Sequence, residues 1–456
     1  MSVRAQILRC FLFLSSFVFA QDSETYLVRI DPSYDIDNLV EYGLNAKAAY
    51  VISSQKHASF LQSFISVQTS DESSLEELRK SGLILYWEAA RKQIFHYTPS
   101  DSFFNEQWHL DKIKAPDGWN LCQGDTNYVV AIVDSGVDYL HDDLKDNLAY
   151  NYADPINGLD DDEDGYLDNF YGWDFGDDDH DPIVDSNGPV QSHGSSICGV
   201  AAATTDNDLG TASPAFRCRY LPVKITNTSG MIVDTNAGIL YAAQMGAKVI
   251  NCSFGTYEYS QAEQDIIAYV TDSMDVLVVA SAGNDNSNEA VYPASLNEVI
   301  GVSAVNENDE KIAISNYGNH IDIAAPGASI YGPLIWNQYS YKSGTSLAAA
   351  LVSSAAILLR SYFPLETAYE IKKRLLYSAD VVDVLNPYYQ GMLGLGRLNL
   401  KAAFVHEMSD EELIMQKKIV QVFPNPTSES IMFSMQTQIG AYQLFIHSIL
   451  GNLVYF

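Results

Sequence analysis

Apolar residues in the middle of the chain come in short, unbroken runs. Val129–Asp134, Tyr220–Ile225, Lys248–Cys252, Val276–Ala280 and Val299–Val305 are five to seven residues long and rich in Val, Ile and Ala. Runs of that length with no polar face predict strands covered on both sides. Between them lie segments with helical spacing, Thr235–Met245, Gln261–Thr271 and Leu365–Leu376. Two more predicted helices, Ser195–Ala203 and Leu347–Leu359, are dominated by Ala, Val and other residues that allow close packing. This β/α alternation predicts an α/β fold with a doubly wound parallel sheet, whose chemistry gathers at the carboxyl ends of the strands.

The two ends of the chain follow other patterns. Arg4 and Arg9 precede an apolar run, Cys10–Ala20, so residues 1–20 are expected to be a secretory signal peptide, too short to span a bilayer. Residues 21–100 alternate short apolar runs, Tyr26–Ile30 and Leu83–Tyr86, with an amphipathic stretch, Glu72–Lys80, and predict a small α+β unit. The core region is expected over 101–405, followed by a charged linker, 406–418, and a β-rich segment, 419–456. That last segment stops within a strand-like run, which suggests a shortened domain.

Charge narrows the function. The 456 residues carry a formal charge of −32, with 26 Lys and Arg against 58 Asp and Glu. Nucleic acid and anionic membranes are poor partners for such a surface, whereas cations suit it. Part of the acidity is concentrated at Asp160, Asp162, Asp164 and Asp168, with Gly165 after the third carboxylate. Carboxylates at positions one, three, five and nine, a glycine at six and the carbonyl of Tyr166 at seven match a calcium-loop spacing, although Tyr171 stands where a bidentate Glu would complete it. A structural Ca2+ is therefore expected there, against the plainer reading of a solvated acidic run. Four cysteines follow the signal, Cys122, Cys198, Cys218 and Cys252; export would permit a disulfide, and the pairing is open.

Three stretches carry candidate chemistry. Ser346 follows Ser343-Gly344-Thr345 at the start of a buried helix, Asp134 ends an apolar strand, and His193 sits between Ser192 and Gly194 at the opening of another helix. Taken singly, a helix N-cap, a turn residue and a surface cap explain them. A serine hydroxyl needs an imidazole to become a nucleophile, and an imidazole is oriented by a carboxylate.

In this order, with their surroundings, the three stretches resemble the subtilase family of serine proteases. The resemblance rests on Ala131-Ile-Val-Asp134-Ser-Gly-Val-Asp138, His193-Gly-Ser-Ser-Ile-Cys-Gly199, Ser343-Gly-Thr-Ser346-Leu-Ala348, Val278-Val-Ala-Ser-Ala-Gly-Asn284 and Val249-Ile-Asn-Cys-Ser-Phe-Gly255. It implies a subtilisin-like catalytic domain with Ser346 as nucleophile, His193 as general base, Asp134 as its orienting carboxylate and Asn284 as oxyanion donor. Ser253, Phe254, Gly255, Ala280, Ser281 and Ala282 would wall the pocket before the scissile bond, and their character suggests large uncharged substrate side chains. The N-terminal unit is similar in position to the family's inhibitory propeptide, so a secreted or surface-attached, monomeric zymogen acting on proteins or peptides is expected, with its own propeptide as inhibitor. Val420-Gln-Val-Phe-Pro424-Asn425-Pro426 resembles the start of a type IX secretion sorting domain.

Departures from the family pattern are Ser196, where a second histidine is frequent, Leu347 for methionine, and Ala350 for proline. The rival expectation is a catalytically inert subtilase fold used for binding. A zinc peptidase lacks its His-Glu-x-x-His, and an esterase of the α/β-hydrolase type would need Gly-x-Ser-x-Gly around the serine.

Overall fold

The computed structural model describes residues 24–31, 33–34, 45–48, 63–69, 71–89, 97–185 and 191–409, with short strands at 421–423, 432–434, 446–447 and 453–455. The expected signal peptide and most of the expected sorting segment lie outside the described residues. The chain divides into two units, Met1–Ile94 and Phe95–Phe456.

In the first unit, β1 (Glu24–Ile30), β2 (Asn45–Ala48), β3 (Phe64–Thr69) and β4 (Ile84–Ala89) form an antiparallel sheet in the order β2-β3-β1-β4. Helix α1 (Glu72–Lys80) is capped by the Asp71 carboxylate, which accepts the Ser73 N–H. Its buried Leu75 and Leu78 join Val28, Ile30, Ile65 and Val67 in one small core. This is the α+β pattern expected from residues 21–100.

The second unit opens with two short helices, α2 (Trp108–Lys112) and α3 (Ala115–Trp119), and is built on seven parallel strands. These are β5 (Val129–Asp134), β6 (Trp173–Asp174), β7 (Arg219–Lys224), β8 (Val249–Cys252), β9 (Leu277–Ser281), β10 (Ile300–Val305) and β11 (Ile323–Pro326), in the order β11-β10-β9-β8-β5-β7-β6. The very short β6 and the Ala-containing β11 gave no strand signal in the sequence.

Why the runs are apolar throughout is visible in their alternation. Val130, Ile132, Val249, Leu277, Val279 and Val302 pack on one face, under α4 (His193–Ala202), α7 (Thr345–Tyr362) and α8 (Ala368–Tyr377). Ala131, Val133, Ile250, Val278 and Ala280 pack on the other, under α5 (Thr235–Gln244) and α6 (Gln261–Met274). A short helix, α9 (Leu400–Val405), completes the unit. Each strand buries both faces, so neither can be polar. The sheet is doubly wound, as the sequence predicts.

A hairpin, β12 (Ile330–Pro333) and β13 (Tyr339–Lys342), delivers the chain to the start of α7. That helix is long and apolar enough to cross a bilayer, yet 83% of it is buried inside the protein, where it is the central core helix. Its alanines permit the close approach to α4 and the sheet.

Candidate active site

The β5 run ends where its last side chain, Asp134, turns from core to cleft. Asp134 Oδ1 accepts the Ser135 N–H at 2.7 Å and lies 2.7 Å from His193 Nδ1. His193 is the first residue of α4, two residues earlier than the sequence suggested for that helix. The two elements meet because residue 194 is glycine: a Cβ there would stand 2.1 Å from the Gly136 carbonyl oxygen. The partner of Nδ1 is a carboxylate, so that nitrogen carries the proton and Nε2 is the basic one. The Asp134 side chain is 4% exposed and that of His193 37%, so the ring reaches solvent while its partner does not. The charge of Asp134 holds the imidazole above its ordinary titration range, against the opposing effects of burial and of the Lys342 cation.

Ser346 occupies the first turn of α7. Its hydroxyl lies 3.4 Å from the Ser253 carbonyl oxygen, a long contact, and the bond to His193 Nε2 is not formed in this structure. Such bonds commonly tighten only when substrate is present. The turn itself is held firmly: Ser353 Oγ donates to Asn251 Oδ1 at 2.9 Å, Asn251 Nδ2 to Ser253 Oγ at 2.9 Å, and Ser253 Oγ to the Ser346 carbonyl at 3.0 Å. This buried chain ties the turn that bears Ser346 to β8, and neither Asn251 nor Ser353 was singled out from sequence.

Asn284 follows β9 and is exposed. Its Oδ1 accepts the Thr345 N–H at 2.9 Å and lies 3.1 Å from the Thr345 hydroxyl. Because a backbone N–H can only donate, the amide oxygen must face Thr345, and the Nδ2 donors face the other way. Thr345 is a positioning residue that sequence reasoning passed over.

The six expected pocket residues divide. Gly255 is exposed, Phe254 half-buried, and Ser253, Ser281 and Ala282 are buried, with Ser253 bonded to the Ser346 carbonyl. Ala280 faces the core under α5 and α6, so its methyl is closed to a bound side chain. Ser196, at a departure from the family pattern, donates to the Pro333 carbonyl at 2.8 Å and is buried. The four cysteines are free thiols, three of them buried.

The acidic stretch assembles differently from its spacing. Carboxylate oxygens of Asp154, Asp160 and Asp162 lie within 4.8 Å of one another. Asp164 and Asp168 stand outside that group, and Tyr166 packs its ring on Trp173 and Tyr241. Asp168 instead accepts main-chain N–H groups of Asn157 and Gly158 at 2.7 and 2.8 Å, which lower its pKa and fix the loop. Asp154, six residues before the motif, was not expected. A second acidic pair lies elsewhere: Asp143 accepts from Thr211 and Asn207, and Asp101 Oδ1 is buried with no partner. Burial first, then the Asp101 charge, pushes Asp143 up to about 7, and burial first, then the charges of Asp206 and Asp208, pushes Asp101 up to about 6. Hard oxygen donors with excess negative charge are what calcium requires, so the Asp154, Asp160 and Asp162 set fits that ion.

Residues 125–400 match the family model of the subtilases. The chain is 32% identical over 331 residues to the thermophilic serine proteinase of Bacillus sp. (strain AK1), covering 72% of this chain and 74% of that protein. It is 35% identical over 306 residues to thermitase of Thermoactinomyces vulgaris, covering 66% and 98%. A solved protease structure from Pseudoalteromonas arctica PAMC 21717 superposes with a TM-score of 0.57 at 27% identity, covering 67% of this chain and 98% of that one. The chain belongs to the subtilase family. It is a serine-type endopeptidase with the subtilisin-like α/β fold, and proteins are its class of substrate.

Proposed function

We propose that the protein is an exported serine endopeptidase, made as a zymogen, in which Ser346, His193 and Asp134 act as one catalytic set. The observation that carries this reading is the 2.7 Å contact between a buried carboxylate and a half-exposed imidazole. The contact lies at the carboxyl end of the sheet, alongside the turn that bears Ser346.

In the reaction the Ser346 hydroxyl gives its proton to His193 Nε2 as its oxygen attacks the scissile carbonyl carbon. Negative charge then develops on the carbonyl oxygen, where Asn284 Nδ2 and the Ser346 main-chain N–H donate to it. Asp134 stabilises the imidazolium, which passes its proton to the departing amine. Water, deprotonated by the same imidazole, releases the acyl group and restores the serine.

Calcium serves structure in this reading. Asp154, Asp160 and Asp162 would hold one ion. The ion's contribution is to neutralise clustered charge and fix loops; it takes no part in bond breaking. The N-terminal unit acts as inhibitor until cleaved, the first 20 residues direct export, and the segment beyond 419 contributes to sorting. The relatives named as an extracellular protease of Natrialba magadii and a cell wall-associated protease of Bacillus subtilis support an external location. The mature enzyme is a monomer that favours large uncharged side chains before the scissile bond.

The test follows chain mass and labelling by a fluorophosphonate probe in residues 21–456, with and without Ser346→Ala, in calcium. Processing and labelling in the wild type alone are expected. A folded wild-type protein that is neither processed nor labelled would make the inert binding fold the better reading.

A further inference from the structure

Lys342 ends β13, four residues before Ser346, and is half-buried. Its Nζ donates to the carbonyl of Ser192, the residue preceding His193, at 3.3 Å. The ammonium therefore lies against the imidazole end of the site. Burial pulls its pKa down, and its positive charge opposes protonation of His193.

Lys342 has no carboxylate at ion-pair distance, a condition shared with Lys311 and Lys373, which bond neutral oxygens, but not with the other buried lysines. Lys224 meets Asp174, Asp177 and Asp185; Lys372 meets Asp322; Lys112 meets Asp309. Among the described residues no carboxylate forms an ion pair with Lys342, in a chain with more than twice as many acids as bases. A partly desolvated ammonium with a single main-chain acceptor retains donors to offer.

Direction comes from the chemistry. His193 protonates the departing amine, so the peptide after the scissile bond leaves past the imidazole, on the side away from Asn284. We propose that Lys342 selects substrates bearing a carboxylate in that departing segment, an inference that rests on the catalytic roles proposed above. The carboxylate would add a counter-charge at contact distance to the more distant Asp134 charge that already acts on Lys342, and the cleft's reduced dielectric would strengthen the attraction relative to water.

The experiment uses processed wild-type protein and three quenched peptides that differ only in the residue after the scissile bond, Glu, Gln or Lys. Active sites are counted with the fluorophosphonate probe. The Glu peptide is expected to exceed the Lys peptide in kcat/KM by about tenfold at low salt, with the ratio shrinking as salt screens the pair. Lys342→Gln brings the ratio near one, Lys342→Glu inverts it, and Lys342→Arg retains it. Because each ratio is internal to one preparation, partial misfolding cancels. Asp134 from β5 and Lys342 from β13 are the charged groups facing His193, so Lys342→Gln also raises the pH of the acid limb. Equal cleavage of the three peptides by wild type, or a Glu preference that survives Lys342→Gln, overturns the inference. Absence of both labelling and hydrolysis removes the protease reading and this one with it.

Discussion

The cleft and the acidic loop use carboxylates in opposite ways. At the end of β5, both bonds of Asp134 fall on Oδ1, and Oδ2 is buried without a partner. In the loop, Asp154 is fully buried with both oxygens engaged, accepting the Asp161 N–H at 2.9 Å and the Asn169 N–H at 3.0 Å. The first arrangement leaves charge free to act on a neighbouring ring. The second uses it to shape backbone. Substitutions in the cleft should therefore cost turnover while sparing the fold, and substitutions in the loop should do the reverse.

The largest expected effect is that of Ser346→Ala, which should lower kcat by about 10⁴-fold or more while the urea midpoint stays in place. A large shift in that midpoint would blur the contrast between the regions. Asp134→Asn should cost about 10⁴-fold in kcat, because the ring loses its tautomer and its counter-charge. It should also move the pH profile. Only neutral imidazole can accept the serine proton, and Asp134 raises the His193 pKa above the ordinary value of 6.5. Wild-type kcat/KM therefore rises with pH through a limb above that value, and the variant's limb shifts down. A limb that stays in place in residual-activity assays would show that it belongs to another group.

Asn284→Ala comes next, at about 10²–10³-fold in kcat with KM little changed. In the loop, Asp154→Asn should lose about 1–3 kcal/mol of stability by leaving a buried main-chain donor unsatisfied, measured by urea unfolding. Turnover per labelled site should hold. Chelation of calcium should lower the thermal midpoint of wild type, and less so that of Asp154→Asn; equal drops would detach the ion from this loop. Ala350→Pro should have the smallest effect. Helix α7 runs unbroken through Ala350, so the Ser346 carbonyl stands to accept its N–H as well as the Ser253 hydroxyl. Proline removes that N–H and presses on the same carbonyl. A modest rise in acylation rate, read from the burst phase, is expected, and an unchanged or slower burst would refute it.

What the sequence made legible follows the range of the interactions. The places of Asp134, His193 and Ser346 at element ends, and the meeting of the first two, were readable because each has a short local pattern around it. The doubly wound sheet was readable because both faces of each strand are buried. Asn251, Ser353, Thr345 and Asp154 were not, since their roles depend on partners brought together by tertiary folding. Lys342 carried no local signal, and its setting beside Ser192 emerges only when β13 is laid against the start of α4. Ala280 is a different lesson: strand parity with Val278 assigns it to the far face, so its exclusion from the pocket was available from counting.

The placement of Ser346 on a helix sealed inside the core has a consequence for the enzyme's life history. The reactive groups proposed above come from residues 134, 193, 284 and 346, and parallel strands joined by crossovers associate late and slowly. No partial chain emerging from synthesis holds them together. The protein's own unfinished segments are thus exposed only while the blade is still in pieces, and the cutting edge is assembled by the event that hides those segments from it.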